Sequence, residues 1–332
     1  MKKLSIFLAL TICFCFTSAA IAAPLKIILA HPNPEAHSIH KGYVKFKELV
    51  EKKSNGSMII DIHSSGALGG DRQVAESINI GTIPMGLSGS MILGSYDPRF
   101  FVFDLPFIFD DNKAVDKIIN GPIGKKLSGV LPGTNIRVLA FPENGFRNLS
   151  NNKREVKGVA DMKGLKVRAM ETPVHLKAFE TLGMIPTAVP FPEVYSALQT
   201  KMIDAQENAN SLFLTSKYYE VQPYYTIPGP MFLLDQTIIN ENFFQSLTPE
   251  QRKIIEESAV EAAKYQRETN RKDNEDALKE FPGKNVKVTY LTPEAIKELK
   301  EKSMPVYQAF KDRIGVAFMN EVLAELGRPA IK

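Results

Sequence analysis

The 332-residue sequence is long enough for two globular domains, and its 44% hydrophobic and 23% charged residues mark a folded chain and exclude global disorder. A formal net charge of +4, with no block of like charge and no basic stripe interleaved with aromatics, excludes the usual nucleic-acid-binding pattern. Both cysteines, Cys13 and Cys15, sit near the N-terminus, so the rest of the chain holds neither a cysteine nucleophile nor a thiolate metal site.

Lys2 and Lys3 precede a mostly apolar run, Leu4 to Phe16, and Ala20-Ile21-Ala22 supplies an A-x-A cleavage pattern. The reading is a signal peptide over 1–22, cleaved near Ala22, and export into an oxidising compartment. The run is shorter than the ~20 residues of a spanning helix. The cleaved chain would have no disulfide and would rest on its hydrophobic core.

Leu25 to Leu29 reads as a short buried strand, followed by the polar loop HPNPEAHSIH. Ile39, Tyr43, Phe46 and Val50 then recur at helical spacing until Asn55-Gly56. Met58 to Ile62 is a strand, Arg72 to Ile80 a helix closed by Gly81, and Met85 to Leu87 a third strand. This is the rhythm of an open α/β sheet. YDPRFFVFDLPFIFDD, interrupted by Pro98 and Pro106, reads as a compact turn packed against a core. A ligand platform of aromatics is its alternative.

One or two helices are expected over Ala114 to Leu131, then a strand over Ile136 to Phe141 that Pro142-Glu143-Asn144-Gly145 breaks. The rhythm restarts with a strand to Arg168, a helix over Val174 to Leu182, a strand over Thr187 to Val189, a helix over Pro192 to Gln199, and an extended piece from Ala205. Met231 to Leu234 and Gln236 to Ile239 are two apolar runs after Pro230. Thr248-Pro249-Glu250 opens a helix that runs past Arg271 toward Leu278. Val286 to Leu291 is a late strand, Thr292-Pro293-Glu294 opens another helix, and Val306 to Leu326 is a final helical region. Two β/α halves joined by extended strands predict two lobes about a hinge; one large sheet is the alternative that periodicity leaves open.

His31, His37 and His40 crowd the first loop, yet a zinc site needs three or four ligands, and a polar loop or helix cap explains them better. No G-x-S-x-G elbow, G-x-G-x-x-G or Walker pattern occurs, which argues against a serine hydrolase and a nucleotide site. The amides at the start of the helix after GALGG are a candidate for a small anion. Arg168 ends the strand LKVR and Arg147 follows the break ENGF. Ligands of open α/β sheets gather at the carboxyl ends of strands, and an arginine there can grip a carboxylate with two parallel hydrogen bonds. A surface pair with an acid such as Glu171 is the plain alternative for either residue alone. The run DAQEN, 204–208, presents amides and acids where the chain turns.

Four segments, LGGDRQVAESINIGTI, DLPFIF, GFRNLSNNKREVKGVADMKGLKVR and PFPEVYSALQTKMIDAQEN, stand in an order and spacing that resembles the solute-binding proteins of tripartite ATP-independent periplasmic (TRAP) transporters, the DctP-type family. The resemblance covers essentially the whole mature chain. It implies an α/β, two-lobe periplasmic binding protein fold, with hinge strands and a long helix spanning both lobes. The lobes would comprise 24–145 plus 233–272 and 146–232 plus 273–332.

The resemblance further implies a monomer in the periplasm, not an enzyme, with no metal and no cofactor. It would capture a small organic carboxylate for TRAP membrane permease subunits. Arg168 would form the main salt bridge, Arg147 and Asn208 would complete the polar shell, and Phe191 would pack on the ligand. Glu207 in the same run, and Gln73, His31, Asn33 and His37 from the first lobe, are further candidate contacts. Lys201 and Ala205 stand where the family has glycines, and Ala209 where proline is common, which bears on the loop that aims Asn208. A sensory protein for a membrane receptor would use the same binding physics. An exported enzyme would call on Glu207 or His31 as acid or base, although no catalytic spacing supports either.

Overall fold

The computed structural model describes residues 23–332, and the expected signal peptide over 1–22 lies outside them. The strands are β1 (Leu25–Ala30), β2 (Met58–His63), β3 (Met85–Gly89), β4 (Gly129–Val130), β5 (Ile136–Ala140), β6 (Glu143–Asn151), β7 (Lys166–Ala169), β8 (Ile185–Ala188), β9 (Ala205–Asn208), β10 (Tyr224–Asn240) and β11 (Lys287–Tyr290). The main order is β2-β1-β3-β10-β6-β9-β7-β8. The two lobes each have a parallel core: β1 pairs with β2 and β3, and β7 with β8 and β9. Between them run β10 and β6, antiparallel to each other. Asp235 to Ile239 of β10 pair with β3 in the first lobe, while Tyr224 to Thr226 pair with both β6 and β11 in the second. The chain therefore forms two lobes whose sheets stay hydrogen-bonded through β10.

Local chemistry accounts for the elements that flank the cleft. The helix Ser38–Lys53 buries Ile39, Tyr43, Phe46 and Val50 along one face, as the spacing predicts, and His37 caps its start by accepting from Ile39 N–H. The helix Asp71–Ile80 ends at Gly81, whose φ of 84° is the left-handed turn glycine adopts without a Cβ clash. The phenylalanine-rich segment forms a 3-10 turn, Pro98–Asp104, with Phe100, Phe101 and Phe103 fully buried, and is thus part of the core.

The long helix runs from Pro249 to Glu280, opened by a capping box between Thr248 and Gln251. At 1.5 Å per residue it is about 48 Å long. Ala259, Ala262 and Ala263 share a core with Phe46 and Val50 of the first lobe, and Ala277 shares one with Phe213, Tyr225 and Phe281 of the second. Small residues let it lie close: a Cβ on Gly42 would come within 2.7 Å of Gln266. Among the described residues no helix is long and apolar enough to cross a membrane.

Three boundaries differ from the sequence reading. The break expected at Pro142-Glu143-Asn144-Gly145 contains the start of β6, whose pairing with β10 shifts register at Gly145, a glycine with φ 100°. The two runs after Pro230 are parts of one strand of 17 residues that passes through Pro228 and Pro230, where the pairing with β6 shifts register. The helix opened at Thr292-Pro293-Glu294, as read, continues through Val306 to Ile314, and the rest of the expected final region is a separate helix, Val316–Glu325. These last helices pack back on the phenylalanine turn: Phe310 meets Phe101 at 6.2 Å, and Tyr307 Oη donates to the Pro106 carbonyl at 2.8 Å.

Candidate functional site

A small cavity of about 10 Å3 lies between the lobes. Arg147, Arg168, Asn208 and Phe191 line it from the second lobe; Asn33 and Asp71 line it from the first. Asn144, at the start of β6, adds a carboxamide, and Met170, Leu212 and Leu233 add apolar surface.

Arg168 stands on the short strand β7 and is 1% exposed. Its Nε donates to the Val189 carbonyl at 2.8 Å, while Nη1 is buried without a partner. No carboxylate among the described residues forms an ion pair with it. Burial, reinforced by the neighbouring charge of Arg147, pulls its pKa below the ordinary arginine value. The site therefore contains a desolvated cation with no carboxylate in contact with it.

Arg147, on β6, is equally buried but paired with an acid. Nε and Nη2 grip the Glu207 carboxylate, and Nη2 also donates to the Glu207 carbonyl at 2.7 Å. Antiparallel pairing of β6 with β9 sets this up by placing Asn148 opposite Asn208 and Leu149 opposite Glu207. His175 lies behind the pair, fully buried, 3.9 Å from Glu207 Oε1. Burial and the two arginines hold its pKa well below the ordinary histidine value, so it is neutral.

Asn208 is fully buried at the end of β9 and gives its Nδ2 to Gln206 Oε1 at 2.6 Å, leaving Oδ1 unpartnered. The departures around it leave the strand intact. Ala205 is a fully buried β9 residue, and Ala209 holds φ −66°, the value a proline would impose. Lys201 carries the one strained substitution: its φ of 60° is the left-handed region, costing about 1–2 kcal/mol for a side chain that glycine would be spared.

Four expected contacts do not line the cavity. Glu207 is held by Arg147. Gln73 turns back to accept from Gly70 N–H at 2.9 Å, capping its own helix. His37 is the cap of the first helix, and its Nε2 lies 3.4 Å from Ser211 Oγ. His31 Nε2 lies 3.2 Å from His40 Nδ1, with its ring stacked on Tyr43 at 5.5 Å. Burial pushes the pKa values of His31 and His37 down to about 3. Among the described residues no cluster of three or more His, Cys, Asp or Glu is arranged to hold a metal ion.

Asp71 and Asn144 were not singled out in the sequence. Asp71 opens the helix after the glycine pair, so the position considered for an anion carries a carboxylate. Burial pushes its pKa up to about 6, against the pull of Arg168 and Arg147. The only signal was its place inside the LGGDRQ segment. Asn144 was hidden by reading PENG as a break in the strand.

Residues 29–313 match the family described as bacterial extracellular solute-binding protein, family 7. The chain is 33% identical over 310 residues to the C4-dicarboxylate-binding periplasmic protein DctP of Rhodobacter capsulatus, covering 92% of each. It is 32% identical over 268 residues to the 2,3-diketo-L-gulonate-binding periplasmic protein YiaO of Escherichia coli, covering 80% of this chain and 81% of the relative. Its fold matches the crystal structure of the sugar acid binding protein DctPAm from Advenella mimigardefordensis in complex with galactonate, with a TM-score of 0.89 and 35% identity over 92% of this chain and 98% of that one.

Proposed function

The chain belongs to the bacterial extracellular solute-binding proteins of family 7, and from that premise we propose that it captures a small organic carboxylate on Arg168 and delivers it to the membrane permease of an ion-gradient-driven TRAP transporter. The observation that carries this reading is the buried guanidinium of Arg168 with no acid partner among the described residues. An uncompensated buried charge is costly, and a ligand carboxylate is the complement that removes the cost. The relatives named above for their ligands take a C4-dicarboxylate, a diketogulonate and a galactonate, all of them carboxylates.

Arg147 and Glu207 form a rigid neutral brace beside that cation, and Asn208 and Phe191 supply polar and apolar contact from the same lobe. The moving bodies are 24–145 plus 233–272 and 146–232 plus 273–332, with the last helices bridging them through Phe310 on Phe101. Binding drives closure by as much as the ligand prefers the closed state. The protein works as a periplasmic monomer, freed from its signal peptide near Ala22, and carries its ligand without turning it over.

The test is thermal unfolding with organic acids beside their neutral amides. An acid present at 100 times its Kd is expected to stabilise the protein by about 2.7 kcal/mol, and its amide by far less. Amides that stabilise as well as acids, or a panel of acids with no effect, contradict the reading.

A further inference from the structure

The cavity's polar atoms are divided unevenly between donors and acceptors. Asn144 spends its Nδ2 on the Asp235 carboxylate at 2.6 Å, Asn208 spends its own on Gln206, and Asn33 Nδ2 lies 3.5 Å from His37 Nδ1. Each of the three lines the cavity, is at least nine-tenths buried, and leaves its Oδ1 without a partner.

The orientation at Asn208 is fixed by a one-way relay. Asn208 donates to Gln206, Gln206 Nε2 to Ser150 Oγ at 2.6 Å, Ser150 Oγ to Gln222 Oε1 at 3.2 Å, and Gln222 Nε2 to the Asp204 carbonyl at 3.3 Å. A backbone carbonyl cannot donate, so the chain cannot reverse, and the acceptor end of Asn208 stays free. At Asn33 the direction is set by His37 Nδ1, which accepts from Ile39 N–H. Asp71 adds a fourth acceptor: it forms no ion pair among the described residues. Against these four acceptors stands one cation free of a contact ion pair, Arg168, because Arg147 is held by Glu207.

We propose that the ligand is a polyhydroxylated monocarboxylate, a sugar acid whose carboxylate pairs with Arg168 and whose hydroxyls donate to Asn33, Asn144, Asn208 and Asp71. This rests on the reading of the cavity as the carboxylate site. A hydroxyl is a donor, and bare carbonyl and carboxylate oxygens in a buried cavity need donors. A second carboxylate on the ligand would meet Asp71 and three carbonyl oxygens with no second free cation to receive it. A zwitterionic amino acid concentrates its three donors on one nitrogen, whereas these acceptors arrive from four places: the loop after β1, the start of the helix Asp71–Ile80, β6 and β9.

Isothermal titration calorimetry with D-erythronate, D-gluconate, D-galactonate, succinate and L-serine tests this. At least one aldonate is expected to bind at least about 100-fold more tightly than succinate and serine, the discrimination a site built for hydroxyls gives against ligands lacking them. Asp71→Asn, which removes the charge that repels a second carboxylate, is expected to narrow the aldonate-to-succinate ratio by at least about tenfold. Succinate or serine binding as tightly as every aldonate overturns the sugar-acid inference while the carboxylate function stands. An unchanged ratio in Asp71→Asn overturns the role of Asp71. Failure of all five to bind overturns the inference together with the function.

Discussion

His31 and His37 share a loop and invite a metal reading, yet the fold uses both as neutral buried rings. A histidine pKa held at about 3 means that the folded state resists the proton that the unfolded chain accepts near 6.5. The resulting stability is fully present above about pH 6.5 and is lost as pH falls toward 3, by about 1.4 kcal/mol per pH unit for each ring. Asp71, with its pKa raised to about 6, works in the opposite sense: ionising it costs stability at neutral pH, and that cost vanishes as pH falls through 6 toward the ordinary aspartate value. A difference measurement separates the two. In His37→Asn, which keeps a capping side chain, the stability gap to the parent should change in the variant's favour by about 1.4 kcal/mol per pH unit between pH 6 and 4, read by urea unfolding. A gap that does not vary with pH would show that His37 is not buried in its neutral form. Arg168 was legible because its place at a strand end and its family segment agreed. Asp71 was not, since an aspartate opening a helix is ordinary capping chemistry until a cavity forms beside it.

At the scale of elements, periodic segments such as the helix Ser38–Lys53 and the strands β1 and β2 were legible from apolar spacing alone. What escaped were strands defined by pairing. β6 begins at a Pro-Glu-Asn-Gly stretch that read as a break, and β10 starts well before the apolar runs after Pro230 and passes through Ile227-Pro228-Gly229-Pro230, since local chemistry does not show the partner strand that holds either extended. Gly229 is the point of closest approach. Its N–H donates to Asn148 Oδ1 at 2.8 Å, and a Cβ there would lie 2.0 Å from the Arg147 carbonyl oxygen. Gly229→Ala must push β6 away from β10, and with it the backbone that carries Arg147. We expect a loss of about 1–3 kcal/mol in stability, together with weaker ligand binding. Parent-like values of both, by unfolding and calorimetry, would mean that the contact relaxes without moving the site.

At the scale of the whole molecule, two β/α halves joined by extended strands were visible in the sequence, while the one long strand that joins them, β10, was not. Hydrogen bonding through β10 and the long helix packed on both lobes tie the halves together, and the cavity between them holds the unpaired guanidinium of Arg168. The account stands on Arg168 as the cation that a ligand carboxylate neutralises. The direct measurement is calorimetry of Arg168→Met beside the parent, using the acid that most stabilises the parent. Breaking a buried charge pair costs about 2–5 kcal/mol, so the account predicts a Kd at least about 25-fold weaker, with the folded protein intact by circular dichroism. An unchanged Kd in a folded Arg168→Met protein would contradict it.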